Sequence, residues 1–112
     1  MLDEMLHPDN RNDETLVSLL TAMGDACGVG VFERQNHAVA MRPDSMADLG
    51  DVVVPCSVVV GTHDRIISPE SHREMADAIP GATYHEIAGA GHYVPLEQPE
   101  IFASALLDLL VR

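Results

Sequence analysis

The chain has 112 residues, 46% of them hydrophobic, which suits one ordinary domain with a core and excludes a disordered or multidomain chain. Its six basic residues, Arg11, Arg34, Arg42, Arg65, Arg73 and Arg112, are all arginine, so Schiff-base chemistry and a phosphate-loop lysine are excluded. A net charge of −12 argues against nucleic acid and anionic membranes as partners and serves solubility.

Residues 1–12 read as a loose lead-in, with "HPDN" as a turn. This acidic start lacks the basic and apolar regions of a signal peptide. No stretch is expected to reach the ~20 apolar residues of a membrane span, so the expected setting is cytoplasmic, with no membrane partner. Asp13 is a candidate N-cap for a helix whose Leu16, Leu19, Leu20 and Met23 form one apolar stripe. Gly24, Gly28 and Gly30 then loosen the chain, and a second helix is expected over Val31 to Met41, stopping before Pro43. "DSMADLG" adds a further turn of helix.

In "DVVVPCSVVVG", Pro55 delays the strand to Cys56–Val60. Cys27 and Cys56 are too few for a disulfide scaffold, and Cys56 reads as a small buried hydrophobe. Three consecutive valines without polar alternation suit a strand covered on both faces, as in a parallel sheet. "THDRII" is loop. Ser68 as N-cap and Pro69 at the first helical position open a helix that places His72, Met75, Ala76 and Ile79 on one face and ends at Pro80–Gly81. A second strand spans Ala82–Ile87. Pro99 opens a last helix with Ile101, Phe102, Ala105, Leu106, Leu109 and Leu110 as its apolar face. Strand, helix and strand within about 30 residues make a βαβ unit with parallel strands.

Parallel strands send their following loops to one edge. "GTHD" follows the first and "AGAGH" the second, so Asp64 and His92 are expected past neighbouring strand ends, where open α/β sheets place ligand sites. A carboxylate that orients an imidazole is two thirds of a nucleophile–base–acid triad. Taken singly, Asp64 reads more readily as a turn cap beside Gly61 and His92 as an ordinary loop histidine; the matched placement shifts the balance to the pair. His63 reads as a loop residue, His72 as a helix-face residue and His85 as a strand residue. His7 and His37 have no identifiable partner. No cofactor is expected. With neither H-E-x-x-H nor C-x-x-C, no metal site is expected either.

These residues carry a resemblance. From Val54 to Leu110, "VVVGTHD", "IPGA", "GAGH" and "EQPE" in this order resemble the C-terminal part of the α/β-hydrolase superfamily, nearest to esterases, enol-lactonases and carbon–carbon bond hydrolases. The implied fold class is α/β: the last two parallel strands of an α/β-hydrolase fold with flanking helices. A mainly helical, cap-derived segment and linker over 1–50 would precede the βαβα part over 51–112. The resemblance implies Asp64 as the triad acid and His92 as the general base. In chain order the family's nucleophile precedes both, within a G-x-S-x-G turn. Ser18, Ser45, Ser57, Ser68, Ser71 and Ser104 do not lie in such a turn, and the oxyanion-hole loop that precedes it is missing too.

The expectation is therefore the C-terminal piece of a larger serine-type hydrolase of esters, lactones or C–C bonds, inactive alone. Its expected partners are a small ester- or lactone-like substrate and either an N-terminal hydrolase half or a second copy of the chain. The alternatives are a non-catalytic interaction module or pseudoenzyme derived from the fold, and part of a dehalogenase with an Asp nucleophile.

Overall fold

A computed structural model describes residues 2–111. Two strands, β1 (Ser57–Gly61) and β2 (Thr83–Ile87), pair in parallel with Ser57 opposite Thr83 and Gly61 opposite Ile87. The chain enters through a short helix α1 (Leu2–Met5), a 3-10 turn (Pro8–Asn10) and α2 (Glu14–Met41), followed by a 3-10 stretch over Met46–Asp51. The helix α3 (Pro69–Ala78) crosses between the strands, as the βαβ reading requires. The chain closes with α4 (Val94–Glu97) and α5 (Pro99–Leu110).

The first strand is formed by β-branched valines buried from two sides. Val58 packs with Ala76 and Ile79 of α3, with Leu49, Val52 and Tyr84 around them. Val59 points the opposite way, toward a cluster of Ile87, Ala90, Val94 and Phe102. Val60 is 1% exposed. The Cys56 side chain is half-buried rather than fully enclosed. Beyond β1 no further strand lies among the described residues, so the sheet ends there.

The Ser68 hydroxyl accepts the Ser71 N–H at 3.2 Å and caps α3, with Pro69 in the first turn. Ser68→Ala removes that acceptor and should cost about 1 kcal/mol. A urea midpoint equal to that of the parent chain would show the cap to be idle.

The long helix departs from expectation. Asp13 caps it, accepting the Leu16 N–H at 3.1 Å. Helical structure runs to Met41, yet Gly28 at φ 79°, ψ 170° is not helical, so α2 is two helices meeting at a kink. The break falls in the glycine-bearing stretch, where the sequence places it. Of the predicted stripe, Leu16 and Leu20 are buried, whereas Leu19 and Met23 are about half exposed. Past the kink Val29, Phe32, Val39 and Met41 are exposed. By length and composition α2 matches a membrane span, which corrects the expectation that no stretch comes near one. The kink leaves neither half with the ~20 residues a span needs.

The largest difference lies at residues 2–10, read from sequence as a loose lead-in. Leu6 is 2% exposed and packs with Leu16, Leu20, Leu2, Val17 and Tyr93. The absence of an extended apolar run hid this: Leu6, with Leu2 against the same cluster, anchors the segment, and hydrogen bonds of its backbone and of the Asn10 side chain hold it.

On the α3 side of β2, the Tyr84 hydroxyl donates to Glu86 Oε1 at 2.8 Å, and the Arg73 guanidinium sits 4.3 Å from the ring centre. Burial, and then the Glu86 carboxylate, raise the Tyr84 hydroxyl above its ordinary 10.0, with Arg73 opposing. The folded state thus keeps this proton longer than the unfolded chain. The associated stability is present below pH 10.0 and should be lost as pH rises through the folded value. Denaturation measured across that range should show a slope that Tyr84→Phe reduces; an identical slope in the variant would remove Tyr84 as its source.

Candidate active site

The two strand-following loops touch. Thr62 N–H donates to Ile87 O and His63 N–H to Ala90 O, both at 3.0 Å. Gly61 makes this approach possible, because a Cβ there would collide with the carbonyl groups of Ala90 and Gly91. A tight turn, closed by Asp64 N–H to Gly61 O at 3.1 Å, then aims Asp64 at the second loop.

Asp64 is buried, at 7% exposure, and the His92 imidazole is half-buried. His92 Nδ1 lies 3.2 Å from Asp64 Oδ2 and 3.3 Å from Oδ1. Oδ1 also accepts the N–H groups of Ile66 and Ile67 at 3.0 Å each. The turn-cap and the imidazole-partner readings of Asp64 are therefore both realised in one side chain. Because a carboxylate only accepts, Nδ1 carries the hydrogen and Nε2 the lone pair. The contacts are at the long end for N–H···O. Chemically, such a pair takes a proton at Nε2 while the carboxylate steadies the resulting imidazolium.

The remaining histidines sort differently. His63 joins Thr62 Oγ1 at 3.1 Å, and its ring meets that of His7 edge-on at 4.1 Å between centres. His7, for which the sequence offered no partner, caps the Pro8–Asn10 turn by accepting the Asp9 N–H at 3.0 Å. His72 Nδ1 donates to Ser68 O within α3 at 2.9 Å. His85 lies in β2 opposite Val59, and His37 is on the exposed part of α2. Among the described residues no group of three His, Cys, Asp or Glu is arranged to hold a metal ion.

Sequence reasoning missed two contributors. The first is the lead-in: His92 N–H donates to Met5 O at 2.7 Å. The second is Glu97, whose side chain is buried beneath the His92 loop and accepts from both Gly91 N–H and Tyr93 N–H. Nothing in "LEQPE" separates Glu97 from a surface acid. Its one signal was its place two residues before Pro99, at the end of an unpredicted turn of helix.

The chain as a whole is similar to known proteins. The model of the alpha/beta hydrolase family matches residues 2–105. Rhodomycin D methylesterase DauP from Streptomyces sp. (strain C5) is 33% identical over 98 residues, covering 85% of this chain and 32% of that protein. An esterase from Thermogutta terrifontis superposes with a TM-score of 0.81 and 28% identity over 98% of this chain and 41% of that one. The enol-lactonase from Burkholderia xenovorans LB400 superposes with a TM-score of 0.84 and 26% identity, over 99% and 42%. The chain thus spans a third or less of the curated relatives it matches, and about two fifths of these solved structures. A family match that runs from α1 into α5, on a strand pair whose loops meet as they do here, makes this chain a member of the α/β-hydrolase family, esterase-like in its relatives.

Proposed function

We propose that this chain supplies the acid and base of a serine-type hydrolase acting on esters, lactones or activated C–C bonds. The carrying observation is the Asp64–His92 contact at the carboxyl end of two parallel strands. His92 Nε2 takes the proton of an attacking hydroxyl and returns it to the leaving group, while Asp64 holds the tautomer. Relatives that include a methylesterase, an esterase and an enol-lactonase support an acyl-transfer reaction. The 112 residues contain no G-x-S-x-G turn, so the attacking group comes from another stretch of polypeptide. The open side of β1 is where such a polypeptide would extend the sheet, or where a second copy would pair.

This reading makes the 112-residue chain inactive by itself. Nucleophile and oxyanion hole are both lacking, and oxyanion donors alone contribute roughly 3–4 kcal/mol to such reactions. Purified chain should hydrolyse a chromogenic acyl ester no faster than buffer. A rate that disappears in His92→Ala would overturn that expectation and point to a nucleophile within these residues.

A further inference from the structure

We propose that Glu97 is a positioning residue for His92: its carboxylate sets the backbone of the base-bearing loop and ties it to the N-terminal segment. Asp64 and Glu97 are the buried charged side chains among the described residues, and the hydrolase reading uses only the first. Burying a carboxylate is costly unless its oxygens are satisfied. Here four N–H donors satisfy it, and no ion pair among the described residues involves it.

The two oxygens face two different parts of the chain. Oε2 accepts from Gly91 N–H at 2.9 Å and from Tyr93 N–H at 3.0 Å, the residues on either side of His92. The N–H between them goes to Met5 O, so three consecutive amides are held. Oε1 accepts from His7 N–H at 2.7 Å and from Asn10 Nδ2 at 3.1 Å. Asn10 Nδ2 also reaches Gly89 O at 3.1 Å. The N-terminal segment lies so close that a Cβ on Gly91 would come within 2.7 Å of Met5 O. Left to itself, a histidine in "GAGH" has wide backbone freedom. With amides 91, 92 and 93 held, the backbone that carries the imidazole is kept where Nδ1 meets Asp64.

The chemistry of the site demands a carboxylate. A carboxamide of the same shape offers one accepting oxygen for four donors and turns its own N–H hydrogens against two of them. Glu97→Gln is therefore a sharp change, although it keeps the volume. Glu97 does not face the reacting group; it acts through His92.

The test uses the whole chain with 15N-labelled histidine. In the parent chain, the His92 ring should show Nδ1 protonated and its hydrogen protected by Asp64. This measurement concerns the proposed acid–base pair and stands apart from Glu97: a His92 ring without that signature overturns the functional reading, and with it the present one. Given the signature, Glu97→Gln should speed Nδ1–H exchange by roughly tenfold or more, the effect of losing about one hydrogen bond's worth of order. The amides of Val58 and Val60 in β1 should stay protected. An unchanged His92 ring in folded Glu97→Gln overturns the role of Glu97. If Glu97→Gln does not fold, Asn10→Ala decides, since it removes one Oε1 donor and spares both backbone bonds beside His92. A smaller acceleration of the same exchange supports the role, and none overturns it.

Discussion

Gly61→Ala is expected to destabilise the chain by about 3 kcal/mol, a large effect for one methyl group. Gly61 has no positive φ, so the reason is space and not conformation. The added Cβ would overlap the carbonyl groups of Ala90 and Gly91, well inside any contact that atoms tolerate. Neither group can yield easily. Ala90 O accepts the His63 N–H, and Ala90 itself is fully buried beside Ile87 and Val94. Relief requires the two loops to part, and these are the loops that bring Asp64 to His92. Gly50, in the 3-10 stretch, has no atom within 4 Å of its would-be Cβ and should accept alanine with little change. Urea unfolding of the two variants checks the contrast. A Gly61→Ala chain with the parent's midpoint would mean that the loops are not packed as described.

The second large effect is on catalysis. In an assembly of this chain with a polypeptide that carries a G-x-S-x-G strand–helix turn, ester hydrolysis should appear, and His92→Ala should lower kcat by about 10⁴-fold or more. Asp64→Asn should fall by a comparable factor, because an amide can donate to Nδ1 and so favour the tautomer whose Nε2 bears hydrogen. KM should move little in either case, since neither side chain is assigned to holding the substrate. Steady-state kinetics on the three assemblies decide. Full activity in Asp64→Asn would remove Asp64 from the mechanism, and full activity in His92→Ala would remove the proposed base.

Much of the site was legible because it rests on local order. A run of valines ending in glycine, a Ser-Pro helix start and a second strand give a βαβ unit, and a parallel pair forces its two following loops together. The placement of Asp64 and His92 needed no more than that. Glu97, Asn10 and the backbone of Met5 and His7 were not legible, and the physical reason is separation. The bond from His7 N–H to Glu97 spans 90 residues, and no periodicity or cap records it. The kink at Gly28 was half legible: the glycines marked a weak point, while the one with positive φ is fixed by the backbone and not by composition. Leu19 and Met23 completed a stripe on paper, but α2 meets too little of the protein to cover them.

The join between residues 5–10 and 89–97 also has a consequence for the order of assembly. A chain grows from its N-terminus, so Met5, Leu6, His7 and Asn10 emerge long before the loop and carboxylate they bind. The β1–β2 ladder closes over a much shorter span, with Ser57 and Thr83 separated by 26 residues. Each doubling of a closed loop adds about 0.6 kcal/mol of entropy cost, and distant contacts tend to form late. In refolding, the strand pair should therefore gain protection first and the base-bearing loop last. During synthesis residues 5–10 wait, unmatched, until residues 89–97 have been made.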